Sequence, residues 1–141
     1  MFIVMKEGFT IIDRVSIPSK FEAVDRVENL VDKVCVNLGV NEDFYGNVLI
    51  AVTEAVNNAI EHGNRFNPEM EVNVAVADNR AEFCFNIKDQ GDGFDFVNLP
   101  DPTAPENLMK ENGRGIFLMK SLADEVEFEE SGSSVNIYFN K

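Results

Sequence analysis

Residues 54–63 of the chain read EAVNNAIEHG and close its most apolar helical stretch, predicted over residues 41–62. Glu54, Asn58 and Glu61 stand at positions i, i+4 and i+7, so they share one face of this helix. Polar side chains in so apolar a helix need partners, and they either face solvent or line a cavity. In a cavity, Asn58 could offer a carbonyl oxygen to Mg2+ and Glu54 could accept a proton from a hydroxyl.

The segments around this helix predict a sheet with helices on one side. Apolar residues at spacings of three and four predict a first helix over 18–39, and a strand over 8–17 precedes it. Alternating apolar residues predict a hairpin over 70–88 with one buried and one wetter face, and a second hairpin over 126–139 that follows a helix over 115–123. This order predicts an α+β fold, a two-layer α/β sandwich with a mostly antiparallel sheet and helices on one face.

Two glycine-containing motifs accompany the hairpins. The sequence DQGDG at residues 89–93 follows a buried strand, where a carboxylate can accept a hydrogen bond from an exocyclic amine and glycines admit a flat ring. The sequence NGRG at residues 112–115 stands at the start of a helix, where backbone N–H groups and an arginine favour an anion. Either motif alone is equally typical of an ordinary turn or a glycine-bounded loop.

Composition excludes several classes of protein. The chain has 141 residues, enough for a single domain over 1–141, and a net charge of −13. Such a charge argues against direct binding to nucleic acid or to an anionic membrane surface. Two cysteines, Cys35 and Cys84, do not make a disulfide scaffold or a cysteine zinc site, and Cys84 is predicted on the wetter sheet face. Because no signal peptide or membrane span is evident, we expect a cytoplasmic protein.

Taken together and in this order, the motifs resemble the ATP-binding signature of the GHKL superfamily of gyrase, Hsp90, histidine-kinase and MutL ATPases, which have the Bergerat, or histidine-kinase-like ATPase, fold. The matching residues are Glu54, Asn58 and Ala59, then Asp89, Gly91 and Gly93, then Gly113 and Gly115. The finer resemblance is carried by EAVNNAIEHG. It is to the bacterial anti-sigma-factor serine/threonine protein kinases, which are single-domain chains of about this size.

The resemblance implies a role for the two polar residues of the second helix. Glu54 would be the general base that activates a serine hydroxyl of a protein substrate. Asn58 would coordinate the Mg2+ that bridges the phosphates of ATP. Such an arrangement suits phosphoryl transfer, in which positioning and charge neutralisation supply most of the catalysis.

The glycine motifs would complete the nucleotide site. By the same resemblance, Asp89 would bind the adenine amine, and Gly91 and Gly93 would shape its pocket. Residues at about 94–112 would form a flexible ATP lid. The motif that follows would hold the phosphates through Gly113, Arg114 and Gly115.

In function, the resemblance implies an anti-sigma regulatory factor. It would phosphorylate a small anti-anti-sigma (STAS-type) protein and sequester a sigma factor or similar regulator, as a homodimer in transcription regulation. Two alternatives remain open: an ATP-gated protein-binding module without phosphotransfer, and a detached histidine-kinase-type ATPase domain. The intact Glu54 favours the kinase over the first alternative, and the ending His62-Gly63 counts against the second.

Overall fold

The structure is a computed structural model that describes residues 5–91, 111–129 and 132–141, with only the backbone described at 111–113. Its strands are β1 (Thr10–Pro18), β2 (Glu71–Asp78), β3 (Glu82–Lys88), β4 (Glu125–Glu129) and β5 (Ser134–Asn140). Its α-helices are α1 (Val24–Leu38), α2 (Glu42–Asn58) and α3 (Glu111–Leu122).

The described strands form one five-stranded sheet in the order β1-β2-β3-β5-β4. Every neighbouring pair is antiparallel. The predicted α+β class is confirmed, because two hairpins and an N-terminal strand share this sheet. β3 and β5 are antiparallel neighbours inside the sheet. The end of β3 and the start of β5 therefore lie side by side at the same end of the sheet.

The helices cover one face of the sheet and bury the core against it. Side chains of alternate strand residues, such as Val74, Phe85 and Ile137, are almost fully buried there. α2 supplies Val52 and Val56 to the same core. α2 packs against α1, α3 and the sheet.

The second helix begins as its sequence predicts. Asn41 caps it by accepting a hydrogen bond from the backbone N–H of Asp43 at 2.9 Å. The α-helical part ends at Asn58, and a π-helical turn over Ala59–Gly63 follows. The backbone N–H of Asn64 donates to the Ala59 carbonyl at 2.8 Å, a bond across five residues that widens the last turn.

Two predicted boundaries are wrong. α3 begins at Glu111 rather than at residue 115, so the phosphate motif lies within the helix, and the predicted lid over 94–112 overlaps its start. The rest of that lid lies outside the described residues. Phe21, which falls within the first helix predicted over 18–39, stands in a short 3-10 turn before α1 and is 46% exposed.

The middle of the predicted wetter face of the sheet is buried. Cys84 and Tyr138, which pair across β3 and β5, have no exposed surface. The N-terminal segment covers them: the backbone N–H of Lys6 donates to the Tyr138 hydroxyl at 3.0 Å, and the Phe9 ring packs edge-on against Tyr138 at 5.5 Å. Alternation shows which side chains share a face, but it does not show what covers that face.

We expect Cys84 to resist alkylation in the folded protein. Burial raises the pKa of the Cys84 thiol to about 12. Because the thiolate is the reactive form, its fraction at pH 8 is roughly 1,000-fold smaller than for a thiol of pKa 9. Residue-resolved mass spectrometry after iodoacetamide treatment measures the rate, and the same protein in urea is the control. Equal rates in both conditions would contradict the buried position.

Candidate active site

A cavity of about 390 Å³ lies where α2 meets α3. From α2 it is lined by Glu54, Asn58 and the following Glu61, which their helical spacing places on one face. From α3 it is lined by Arg114 and Gly115. The polar stripe of the second helix therefore lines a cavity. The first turns of α3 bring two residues of the predicted phosphate motif to it.

Close packing joins the two helices at Gly115. A Cβ atom there would lie 2.9 Å from the Glu54 carboxylate oxygen Oε2, so glycine lets the carboxylate approach the α3 backbone. Within the described residues, the side chains of Glu54 and Asn58 have no hydrogen-bond partner, and Arg114 forms no ion pair. One acceptor, one amide and one guanidinium thus face a shared space with free hydrogen-bonding capacity.

A second, smaller cavity of about 20 Å³ lies deeper, between the end of α2 and the sheet. Asn58, Gly63 and Asp89 line its polar side, and Met119 and Phe128 line its apolar side. Because Asn58 lines both cavities, the two are neighbours through one side chain. The smaller one has room for about one water, so a planar base needs its apolar walls to move apart.

The Asp89 carboxylate is held by glycines on both sides. Asp89 is 7% exposed, and its Oδ1 accepts from the backbone N–H of Gly91 at 2.9 Å. A Cβ atom at Gly63 would lie 2.3 Å from Asp89 Oδ2, and one at Gly91 would lie 1.9 Å from the Gly63 carbonyl oxygen. Neither position has space for a side chain. The end of the π-helical turn therefore fixes where the Asp89 carboxylate stands.

Sequence reasoning missed Asn64, which ties three segments together behind Asp89. Its Oδ1 accepts from the backbone N–H of Gln90 at 2.7 Å. Its Nδ2 donates to Ser19 Oγ at 2.9 Å and to the carbonyl oxygen of Glu71 at 3.0 Å. Asn64 is buried, and these bonds use its acceptor and its donors. Its position directly after the EAVNNAIEHG stretch, with a turn composition, was the only sequence signal.

Met119 and Phe128 were also missed. Helical spacing in α3 and alternation in β4 mark them as inward-facing residues, but not as the walls of one cavity. That placement depends on the packing of α3 against β4, which no local pattern encodes.

Gly91 is the predicted site residue that the structure describes in full and that lines neither cavity. Gly91 packs against Gly63 without lining the space itself. Gly113 lies in the first turn of α3, where only the backbone is described. Gly93 lies outside the described residues.

Comparison with known proteins identifies the family of this fold. Residues 17–139 match the family model of the histidine kinase-like ATPase domain. The chain belongs to the histidine kinase-like ATPase family. The predicted fold family and the use of ATP that it implies are therefore confirmed. No helix of this ATPase domain, among the residues that the structure describes, is long and apolar enough to cross a bilayer.

The family's protein kinases include close matches to this ATPase domain. Serine-protein kinase RsbW of Staphylococcus epidermidis is 31% identical over 131 residues, which cover 86% of this chain and 81% of the relative. The protein of the same name from Bacillus licheniformis is 32% identical over 129 residues, with coverages of 85% and 79%. That of Staphylococcus aureus strain JH9 is 30% identical over 129 residues, with coverages of 86% and 81%. The predicted resemblance to serine kinases is confirmed.

We expect Asn64→Ala to weaken ATP binding by the ATPase domain. The change leaves the part-buried backbone N–H of Gln90, inside the Asp89 turn, without its acceptor, at a cost of about 1 kcal/mol for the lost hydrogen bond. Calorimetric titration with ATP and urea unfolding measure the two effects. Asn67→Ala, which removes a hydrogen bond in an exposed turn, is the control and should change both little. An unchanged ATP affinity in folded Asn64→Ala would contradict the tie to Asp89.

Proposed function

We propose that the chain is an anti-sigma regulatory factor that acts as an ATP-dependent serine/threonine protein kinase. The observation that carries the proposal is that Glu54 and Asn58 line one cavity and Asn58 also lines the cavity of Asp89. The proposed general base Glu54, the proposed Mg2+ ligand Asn58 and the proposed adenine-binding Asp89 then lie next to one another in this order. The relatives named serine-protein kinase support transfer to a protein hydroxyl.

Asp89 and the residues around it would read the adenine. A carboxylate that is buried and fixed between glycines can accept a hydrogen bond from the exocyclic amine in a single orientation. A guanine presents a carbonyl oxygen at that place, which a carboxylate cannot bind. Gly91 would act by letting the turn pack against Gly63, and Gly93 would shape the same pocket.

The phosphates would lie in the larger cavity, held by the first turns of α3. Arg114 offers a planar fork of donors there, and Gly115 leaves space beside Glu54. Gly113 stands in the first turn of the helix, where backbone N–H groups favour anions. Residues at about 94–112 would close over the nucleotide as a lid.

Asn58 fits the expected Mg2+ as a single protein ligand. Its amide has free capacity at the junction of the two cavities. Mg2+ bound to a nucleotide uses few protein ligands beside the phosphate oxygens and water. No group of three His, Cys, Asp or Glu side chains suited to a metal occurs in the described part of the chain, which agrees with a site that the nucleotide completes. When bound, Mg2+ neutralises charge on the phosphates.

Glu54 would act as the general base in the transfer. Its carboxylate takes the proton from the substrate serine, whose oxygen forms a bond to the γ-phosphorus of ATP. The bond from that phosphorus to the β–γ bridging oxygen breaks, and ADP leaves with the electron pair. The carboxylate lies beside Gly115 and one helical turn from Asn58, so base and phosphates share the larger cavity.

The partners proposed are those that the resemblance implies. The substrate would be a small anti-anti-sigma protein of the STAS type, and the chain would also bind a sigma factor or similar regulator and free it when a partner switches. We further propose a cytoplasmic homodimer of single domains over 1–141. The strongly acidic charge of −13 keeps nucleic acid out of the proposal.

We expect Glu54→Gln to bind ATP but to lose transfer. General-base catalysis contributes about 10²–10⁴-fold, and the amide cannot accept the proton. Incubation with γ-labelled ATP, Mg2+ and a lysate of the source cells measures transfer to a small protein as phosphoserine. Glu42→Gln, the same change in the first turn of the same helix, is the matched control and should transfer normally.

The outcomes of that experiment separate the functions. Label on a small protein with the wild-type chain and not with Glu54→Gln supports the kinase. Full activity in Glu54→Gln would contradict the general base. ATP binding without any labelled protein would favour an ATP-gated binding module, and label on histidine would favour a histidine-kinase-type ATPase domain.

We expect Asn58→Ala to abolish the Mg2+ dependence of ATP binding. Loss of a group that holds a metal site costs roughly 10-fold or more in affinity. ATP titrations with Mg2+ and with EDTA measure the dependence, and Asn47→Ala on the same helix is the control. An Asn58→Ala protein whose ATP affinity still falls on adding EDTA as in the wild type would contradict this role.

A further inference from the structure

Two exposed aromatic rings form a pair beside the larger cavity, which one of them lines. Phe21, from the 3-10 turn before α1, lines the cavity and is 46% exposed. Phe66, from the loop after α2, is 47% exposed and packs edge-to-face on Phe21, with ring centroids 5.1 Å apart. Half of each ring is in water, although each could be covered by an apolar partner.

The backbone holds Phe66 in this position at a cost. Arg65 and Phe66 have φ angles of +52° and +59°, the left-handed region that side chains other than glycine rarely adopt. Two successive residues of this kind cost about 1–2 kcal/mol each. The Phe66 N–H donates to the Ile60 carbonyl at 2.9 Å, which closes the end of the helix and aims the ring at Phe21. Backbone strain of this kind gathers at functional sites.

The cavity beside the rings is acidic. Besides Glu54, the side chains of Glu28 on α1 and Glu61 after α2 line it. Arg114 on the α3 side and His62 are its basic lining residues among those described. The rim of the cavity, which we define as the two rings with Glu28 and Glu61, thus offers apolar surface and negative charge. An anionic nucleotide suits the Arg114 side better than this rim.

We propose that Phe21 and Phe66 are substrate-specificity residues that dock the acceptor segment of the protein substrate. A segment with an apolar side chain on the two rings and a lysine or arginine toward Glu28 and Glu61 would place its serine hydroxyl near Glu54. This inference rests on the proposed kinase function and adds a chemical class to its substrate: an apolar and basic sequence around the acceptor serine. The rings themselves touch no reacting atom.

Continuity and charge select this occupant. The rim borders the cavity that the base Glu54 lines, so a segment on the rim reaches the base without crossing another element. Asp89, which would read adenine, lies on the far side of Asn58 and lines only the smaller cavity. The nucleotide therefore leaves the rim to the second substrate.

The double variant Phe21→Ala/Phe66→Ala tests the proposal. The acceptor is the protein labelled by the wild-type chain in the lysate experiment, purified after identification. We expect KM for that protein to rise at least tenfold, while kcat at saturating protein and the affinity for ATP stay within twofold. Phe44→Ala, which removes an exposed ring at the start of α2, is the matched control and should leave all three unchanged.

A second variant keeps the test valid if the double variant does not fold. Glu28→Lys reverses one charge on the exposed side of α1, so KM should rise as well and should lose its dependence on salt. Replacing basic residues beside the acceptor serine with alanine should raise KM for the wild-type chain and not for Glu28→Lys.

Each outcome has one meaning. Unchanged KM in a folded Phe21→Ala/Phe66→Ala protein would overturn the docking rim and leave the kinase intact. A fall in kcat or ATP affinity with unchanged KM would overturn it too, because the rings would then support the nucleotide site. If the wild-type chain binds ATP but labels no protein, the kinase function fails, and the rim proposal fails with it.

Discussion

The contact between the π-helical turn that follows α2 and the turn that follows β3 is the constraint on which the site depends. Gly63 and Gly91 have no space for a Cβ atom, and the Asp89 carboxylate lies against the first of them. This close approach fixes the distance between the second helix and the sheet. It also brings Asn58, one turn earlier, to the wall of the Asp89 cavity. A shift of either element by the size of a methyl group would separate the carboxylate from the helix.

From that contact outward, α2 connects the parts of the site. One face of the helix carries the proposed base and the proposed metal ligand. The turn at its end packs against the Asp89 carboxylate, which would select the nucleotide. α3 approaches the same face through Gly115 and adds the cationic Arg114. Phosphoryl transfer needs few reactive groups but precise positions. A single rigid helix that carries two of them meets this need with few degrees of freedom.

Sequence patterns predicted the elements of this site better than their contacts. The spacing of Glu54 and Asn58 was enough to place both on one helix face, and the alternation of β3 was enough to place Asp89 at a strand end. Asn64 could not be found, because its partners Gln90, Ser19 and Glu71 come from three separate segments, two of them distant in the sequence. Cys84 was placed on a wet face because the covering N-terminal segment has no periodicity that would reveal its position. The spacing of residues along one element predicts which side chains share a face. Whether that face is buried depends on which other segments of the chain pack against it.

The π-helical turn over Ala59–Gly63 also limits which changes in length this chain can tolerate. A π turn is an α-helical turn with one residue inserted, and its hydrogen bonds depart from the regular α-helical pattern. Deleting one residue there would restore a regular helix. It would also turn Gly63 by about 100° around the axis and draw it back by about 1.5 Å, away from the carboxylate. Deletions that shorten this turn should therefore be absent from functional variants of the protein, although they would make the helix itself more regular.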